Sequence, residues 1–239
     1  MKRIEYKYLI DETKAKSITR AIRPFTKYEP FSLLKPDNSY PVYSLYFDSR
    51  QRQFFYDKRD GLISRLKIRL RTYSDDTKNP QSIFLEFKKK FGEVSIKERV
   101  KISSFQYQRL ISANPCQIPG RTDAVSTTFN VLSDAFGLVP TLKIVFDREA
   151  LFDRTDKNIR VNFDRNITAH TAQDLFSESY GLKILRHHLV MEIKFANTIP
   201  NWLHRIITGF QLQRDSFSKY YNSMVSCGIV DELDFLTYS

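Results

Sequence analysis

Arg65-Leu66-Lys67-Ile68-Arg69-Leu70-Arg71 alternates without a break, the odd positions cationic and the even positions apolar. A period of two belongs to a β-strand, whose successive side chains point to opposite faces. Leu66, Ile68 and Leu70 are therefore expected to face a core, while Arg65, Lys67, Arg69 and Arg71 line the other face. Cations two residues apart on a strand lie ~7 Å from one another at ~3.3 Å rise per residue. Each neighbouring pair repels by ~2 kcal/mol at an effective dielectric of ~20, against ~0.6 kcal/mol in bulk water. Such a row is tolerable in two settings: bathed in water, or gathered around a polyanion.

The rest of the chain narrows the choice. Its 239 residues, 41% hydrophobic and 14% aromatic, suffice for one large domain or at most two small ones. Lysine and arginine number 38 against 27 acids, a net charge of +11. That surplus implies an anionic partner, whether nucleic acid, a phosphorylated small molecule or an acidic membrane surface. Cys116 and Cys227 form no metal-ligand or redox spacing, which predicts two free thiols in a reducing, cytoplasmic setting. Met1-Lys2-Arg3-Ile4-Glu5 carries no signal-like apolar region, and no apolar run approaches the ~18 residues of a membrane span. A soluble protein is expected.

Alternation recurs along the chain. Lys2 to Ile10 sets Arg3, Glu5 and Lys7 against Ile4, Tyr6, Tyr8 and Ile10, and Asp11 then caps a predicted helix that Pro24 stops. Phe25 to Pro41, with three prolines, reads as loop. Strands are expected over Pro41 to Asp48, Ser82 to Lys90 and Val94 to Ile102, with Gly92-Glu93 as a hairpin turn. A short helix is expected over Ser49 to Tyr56, with a turn at Asp60-Gly61 and a polar loop over Thr72 to Gln81. Further helices are predicted over Ser103 to Ser112 and Asp123 to Ala135, the latter ended by Gly137. Leu142 to Leu151 and Asn158 to Asp164 form a strand pair, and Leu189 to Phe195 is a last strand. Pro200 opens a helix over Asn201 to Phe210, and Ser216 to Cys227 is another. Short turns between strands favour antiparallel pairing, hence a single α+β domain over 1–239.

One charged strand face is ordinarily a solvated sheet face. Here the pattern recurs: Glu5-x-Lys7, Glu86-x-Lys88 and Glu192-x-Lys194 each set an acid two residues before a lysine, and Lys97-x-Arg99 and Arg160-x-Asn162-x-Asp164 add to them. In a closed antiparallel barrel every strand has an interior and an exterior row. With helices outside, the apolar row faces them and the charged row faces the lumen, a cationic tunnel holding a few carboxylates. Guanidinium and ammonium groups suit phosphate, and carboxylates beside them can hold Mg²⁺ or Mn²⁺ against phosphate oxygens. The open sheet stays as the alternative.

The ordered series of motifs resembles the VTC domain, the polyphosphate polymerase branch of the CYTH-like triphosphate tunnel metalloenzymes. It runs from Glu5-x-Lys7 through Ser44-Leu45-Tyr46-Phe47-Asp48-Ser49, Arg65-x-Lys67-x-Arg69-x-Arg71-x-Tyr73 and Phe84-Leu85-Glu86-Phe87-Lys88. It continues through Lys97-Glu98-Arg99, Arg148, Arg160, Val190-Met191-Glu192-Ile193-Lys194 and Phe217-Ser218-Lys219-Tyr220. The resemblance implies an eight-stranded antiparallel tunnel that moves the ATP γ-phosphate onto a growing polyphosphate chain, with a divalent metal. It implies that Lys7, Arg69, Arg71, Lys88, Lys97, Arg148, Arg160, Lys194 and Lys219 bind phosphate, together with Lys67, Ser218 and Lys58. Lys7, Arg69, Arg71 and Arg148 with Glu192 form the expected catalytic set. Glu192 is the expected metal ligand, and Glu5 and Glu86 are further metal or lysine-orienting candidates. Two positions depart from the pattern, Phe146 where a tyrosine is expected and Asn162 where a threonine is. With no inositol-phosphate-sensing domain ahead and no membrane segment behind, a stand-alone bacterial type is expected, at a membrane only through a partner.

The implied ligands are ATP, polyphosphate, tripolyphosphate and pyrophosphate. A terminal phosphate is already anionic, so the chemistry asks for no strong base, in keeping with the lack of any Ser-His-Asp or Cys-His arrangement. His187 and His188, read as strand neighbours, would point to opposite faces as structural or surface residues. With water as acceptor the same tunnel would be a tripolyphosphatase or nucleoside triphosphatase, and without turnover a polyphosphate-binding module. A nucleic-acid-binding domain is the reading from a different class, but no RRM, KH or helix-turn-helix signature accompanies the charge.

Overall fold

The computed structural model describes residues 2–74, 82–113, 116–177 and 179–230. The expected polar loop falls partly on residues 75–81, outside the described residues. The chain opens with β1 (Lys2–Ile10) and α1 (Glu12–Ile22), where the Asp11 side chain accepts the Lys14 amide at 2.7 Å as the cap. The proline-rich stretch read as loop instead contains β2 (Thr26–Tyr28), a 3₁₀ helix (Pro30–Leu34) and the start of β3 (Ser39–Asp48). Pro41 lies at the end of β3 that is paired on one side only, since pairing to the next strand begins at Tyr43.

After β3 come α2 (Gln53–Arg59) and the hairpins of β4 (Ser64–Thr72), β5 (Ile83–Phe91) and β6 (Val94–Ile102). Helix α2 begins later than the expected Ser49, because buried Asp48 reaches forward to accept the Phe54 and Phe55 amides at 2.9 and 3.0 Å. Then follow α3 (Ser104–Ser112), α4 (Ala124–Phe136), β7 (Val139–Asp153), β8 (Arg160–His170), β9 (Leu182–Lys183) and β10 (Leu189–Phe195). Strands β7 and β8 both outrun their predicted lengths, since pairing to each other carries them past the hydrophobic alternation. Helices α5 (Asn201–Gly209) and α6 (Lys219–Ser226) complete the described chain. His187 and His188 lie in the bend before β10, both exposed, and not on a strand. No helix among the described residues is long and apolar enough to cross a membrane.

The strands run in the order β7-β3-β4-β5-β6-β1-β10-β8, and β8 pairs back onto β7, closing an eight-stranded antiparallel barrel. Strands β2 and β9 extend two of its members. Outside, Ile68, Leu70, Leu85 and Phe87 meet Tyr107 and Leu110 of α3 and Phe129 of α4. On the other side Tyr8, Phe163, Met191 and Ile193 meet Ile18 and Ile22 of α1 and Leu203 of α5. Helix α6 is placed differently. Its Tyr220 and Met224, with Phe217, pack on lumen-side residues Tyr46, Ile144, Phe146 and Val190, so α6 stoppers part of one barrel end.

Asp48 joins these parts: besides capping α2 it accepts the Tyr220 hydroxyl of α6 at 2.6 Å, and all of these groups are buried. Asp48→Ala strands several buried donors, so urea unfolding should show a loss of about 3 kcal/mol, against about 1 kcal/mol for Tyr220→Phe. Wild-type stability in Asp48→Ala would refute this assignment.

Candidate functional site

Three chambers that share lining residues lie within the barrel. The wide one, about 430 Å³, is lined by Arg69, Arg71, Lys88, Lys97, Arg148, Arg160 and Lys194 among others. A waist of about 60 Å³ lies between Lys7, Lys67, Arg69, Arg148, Glu192 and Lys219. Beyond it a chamber of about 160 Å³ is lined by Lys7, Lys58, Arg65, Lys67, Lys90 and Ser218. The odd residues of β4 thus face an enclosed lumen, and the open-sheet alternative is overturned. Cross-strand register stacks the cations: Lys67 is opposite Lys88, which is opposite Lys97, across β4, β5 and β6.

Buried carboxylates divide these cations into groups. Glu86 accepts Arg69 Nε and Nη2 at 3.0 and 2.9 Å on one oxygen, and forms an ion pair with Lys97 through the other. Arg69 also donates to the Tyr46 hydroxyl at 2.9 Å, and Arg71 donates to Ser44 Oγ at 3.1 Å. Asp164 forms a two-pronged pair with Arg148, both bonds at 2.6 Å, and meets Lys219 at 2.6 Å. Glu192 takes Lys219 at 3.0 Å on Oε1, and Lys194 at 2.9 Å and Arg148 at 3.2 Å on Oε2. Glu5 meets Lys88 at 2.5 Å and Lys7 at 3.7 Å. The start of α6 is tied into the same wall: Lys7 Nζ donates to the Phe217 carbonyl and Lys67 Nζ to Ser218 Oγ, each at 2.8 Å.

Protonation follows from this crowding. Burial alone would raise Glu5, Glu86, Asp164 and Glu192, but the neighbouring ammonium and guanidinium groups outweigh it and hold all four below the usual carboxylate range. Lys219 is raised despite burial because Asp164 and Glu192 flank it. Among the described residues no carboxylate contacts Lys67. Burial first, then Lys7, Lys88 and Arg69, push it well below the ordinary lysine value. Burial likewise lowers Lys97 to about 7, with Glu86 opposing and Arg71 and Arg69 adding to the fall.

Lys7, Lys67, Arg69, Arg71, Lys88, Lys97, Arg148, Arg160, Lys194, Lys219, Glu5 and Glu192 all come together around the lumen. Lys58 and Ser218 stand at the far chamber. Glu86 is 1% exposed and sits behind the arginines, as an orienting group for Arg69 and Lys97. Phe146, where a tyrosine is expected, presents its ring to Lys219 Nζ at 4.8 Å and to the Arg148 guanidinium at 5.2 Å. Asn162 lines the wide chamber. Sequence reading sets Asp164 in the inward row with Arg160 and Asn162 but gives it no role. It quotes Tyr46 within a motif but gives it no role, and it misses Glu29 altogether; Glu29 accepts Arg160 at 3.4 Å across residues far apart in the chain.

The VTC domain matches residues 2–227, and the chain belongs to that family. Among solved structures, a candidate adenylate cyclase from Bacillus halodurans superposes with a TM-score of 0.52 at 11% identity, over 91% of this chain and 95% of that one. A candidate adenylyl cyclase from Hippeastrum, with a dominant triphosphatase activity, superposes with a TM-score of 0.51 at 15% identity, over 98% of both chains. These likenesses are of fold. No curated protein matches the chain.

A polyanion entering the lumen favours the charged form of Lys67 and Lys97, whose values are depressed when the tunnel is free. Between the depressed and the ordinary lysine value the free amine is neutral, so binding draws protons from solvent and affinity falls as pH rises. Calorimetry of tripolyphosphate binding at pH 8, in buffers of different ionisation enthalpy, should report net proton uptake, reduced in Lys67→Met. Zero uptake or proton release would contradict it.

Proposed function

We propose that this protein, read as one tunnel unit over 1–239, is a polyphosphate polymerase that transfers the ATP γ-phosphate to a growing inorganic polyphosphate chain. The observation that carries the reading is the length of the cationic row. From Arg65 at the far chamber to Arg71 at the wide one, β4 alone covers ~20 Å at ~3.3 Å per residue. Three linked phosphates need less than that, whereas a chain passing through the waist uses all of it.

Phosphoryl transfer needs in-line positioning and neutralisation of spreading charge more than it needs a covalent protein group. Arg69, Arg71 and Arg148 are held by Glu86, Tyr46, Ser44 and Asp164, so their donors are fixed before substrate arrives. Lys7, Lys194 and Lys219 surround the waist, where the reacting phosphate would be neutralised. The attacking group is an anionic terminal phosphate, and no side chain need take its proton.

The acids suit a divalent metal in one way. Among the described residues no trio of acidic, histidine or cysteine side chains converges. Mg²⁺ or Mn²⁺ would be held by Glu192 with Glu5 nearby, the remaining positions filled by phosphate oxygens and water, as is usual for Mg²⁺ with phosphate substrates. Bound there, the ion would supply charge neutralisation to the phosphate oxygens.

The triphosphatase activity of the Hippeastrum protein favours a second reading, hydrolysis of tripolyphosphate or a nucleoside triphosphate in the same tunnel. Purified protein with ATP and Mn²⁺ should build acid-insoluble polyphosphate. Arg69→Ala should reduce the rate by about 10²-fold or more, the scale seen when a fixed transition-state donor is removed, and Glu192→Gln should do likewise. Release of inorganic phosphate from tripolyphosphate without chain growth would replace the polymerase reading with the hydrolase.

A further inference from the structure

Phosphate chemistry does not account for the aromatic rings at the wide mouth. Phe31, Tyr40 and Tyr73 line the same chamber as Arg69, Arg71 and Arg160. The Phe31 and Tyr73 rings lie 6.5 Å apart between centroids and only 20° from parallel. Tyr40 meets Tyr73 at 5.9 Å, nearly edge-on, and Phe31 at 6.2 Å. Behind them Tyr73 touches Phe84 at 6.3 Å. Tyr40 is buried and its hydroxyl is spent on Glu29 at 2.9 Å, but Phe31 is 57% exposed.

A single exposed apolar side chain needs no explanation by itself. Phe31 differs in being backed by two further rings, seated rigidly, and set beside a cationic chamber. The seat is the 3₁₀ helix, pinned to β7 through fully buried Ser32. Ser32 Oγ accepts the Ala150 amide at 3.0 Å, and the Glu29 amide donates to the Ala150 carbonyl at 2.8 Å. The exposed ring is therefore held in place without substrate, at little further entropic cost to a ligand that covers it.

A flat π-face next to a string of arginines and lysines matches a ligand with a base at one end and phosphates at the other. We propose that Phe31, backed by Tyr73 and Tyr40, is the stacking platform for the base of a nucleoside triphosphate whose phosphates lie in the tunnel. This deepens the function proposed above and rests on it. Stacking without base-edge readout is tolerant of the base, so ATP, GTP and UTP are all accepted, with purines ahead. The platform also assigns direction, because its rings line the wide chamber and not the chamber at Lys58 and Arg65. Nucleotide therefore occupies the wide mouth, and the polymer leaves by the chamber near Lys58 and Arg65.

The test compares ATP with tripolyphosphate in EDTA, by calorimetry, on wild type, Phe31→Ala and Phe31→Trp. Expected are a roughly 5- to 100-fold weaker affinity of Phe31→Ala for ATP, unchanged affinity for tripolyphosphate, and recovery for ATP in Phe31→Trp. Equal affinities for ATP in wild type and Phe31→Ala, or equal losses for both ligands, would overturn the platform and leave the tunnel's phosphate binding intact. A wild-type protein that binds neither ligand would overturn the polymerase reading and the platform together.

Discussion

Mutual repulsion among enclosed cations is the constraint this fold has to meet. A barrel lumen keeps Lys7, Lys67, Lys88, Lys97, Arg69, Arg71 and Arg148 close together and largely away from water, where their repulsion is several times stronger than at a surface. Four carboxylates make the arrangement stable. Glu86 holds Arg69 and Lys97, Asp164 holds Arg148 and Lys219, Glu192 holds Lys194, Lys219 and Arg148, and Glu5 holds Lys88. Removing one partner of such a buried pair typically costs 3–5 kcal/mol, because the other is left charged and unsolvated. The compensation is incomplete: among the described residues Lys67 meets a hydroxyl and no carboxylate, so its amine regains its proton, and its charge, when a polyanion arrives.

The same carboxylates set the chemistry's geometry. Long lysines and arginines would otherwise sample many rotamers, and a phosphate chain would have to order each of them on binding. Here Arg148 is fixed by two bonds to Asp164, and Arg69 is fixed between Glu86 and Tyr46. The site is thus arranged in advance for phosphate oxygens, which is the form of electrostatic assistance that costs least at the moment of reaction.

Most of the barrel was legible in the sequence because its signal is local. Period-two alternation on β1, β4, β5, β6 and β10 gives both the strand and the inward row, and Asp11, Ser103, Asp123 and Gly137 mark helix ends where their side chains or backbone conformations act. What was not legible depends on distant partners. The 3₁₀ helix at Pro30–Leu34 looks like loop until Ala150 of β7 is beside it. Asp164 looks like one more strand residue until β8 closes on β7 and brings it to Arg148. The resemblance makes Glu86 a metal or lysine-orienting candidate; register sets it opposite Arg69, and Arg69, Arg71 and Lys97 close on it. Helix α6 has an ordinary amphipathic pattern, and nothing local tells that its apolar side enters the barrel end.

The position of β1 has a consequence for how the chain assembles. It precedes the other barrel strands in the chain, yet its neighbours are β6 and β10, and Lys7 finds its carbonyl at Phe217, 210 residues onward. Before the chain from β8 onward is made, β4, β5 and β6 can form a hairpin sheet whose basic side lacks Asp164, Glu192 and the stopper helix. Long-range closure of this kind is intrinsically slow. The nascent half-barrel is accordingly the form with its cationic face open to solution, and maturation consists of wrapping that face shut.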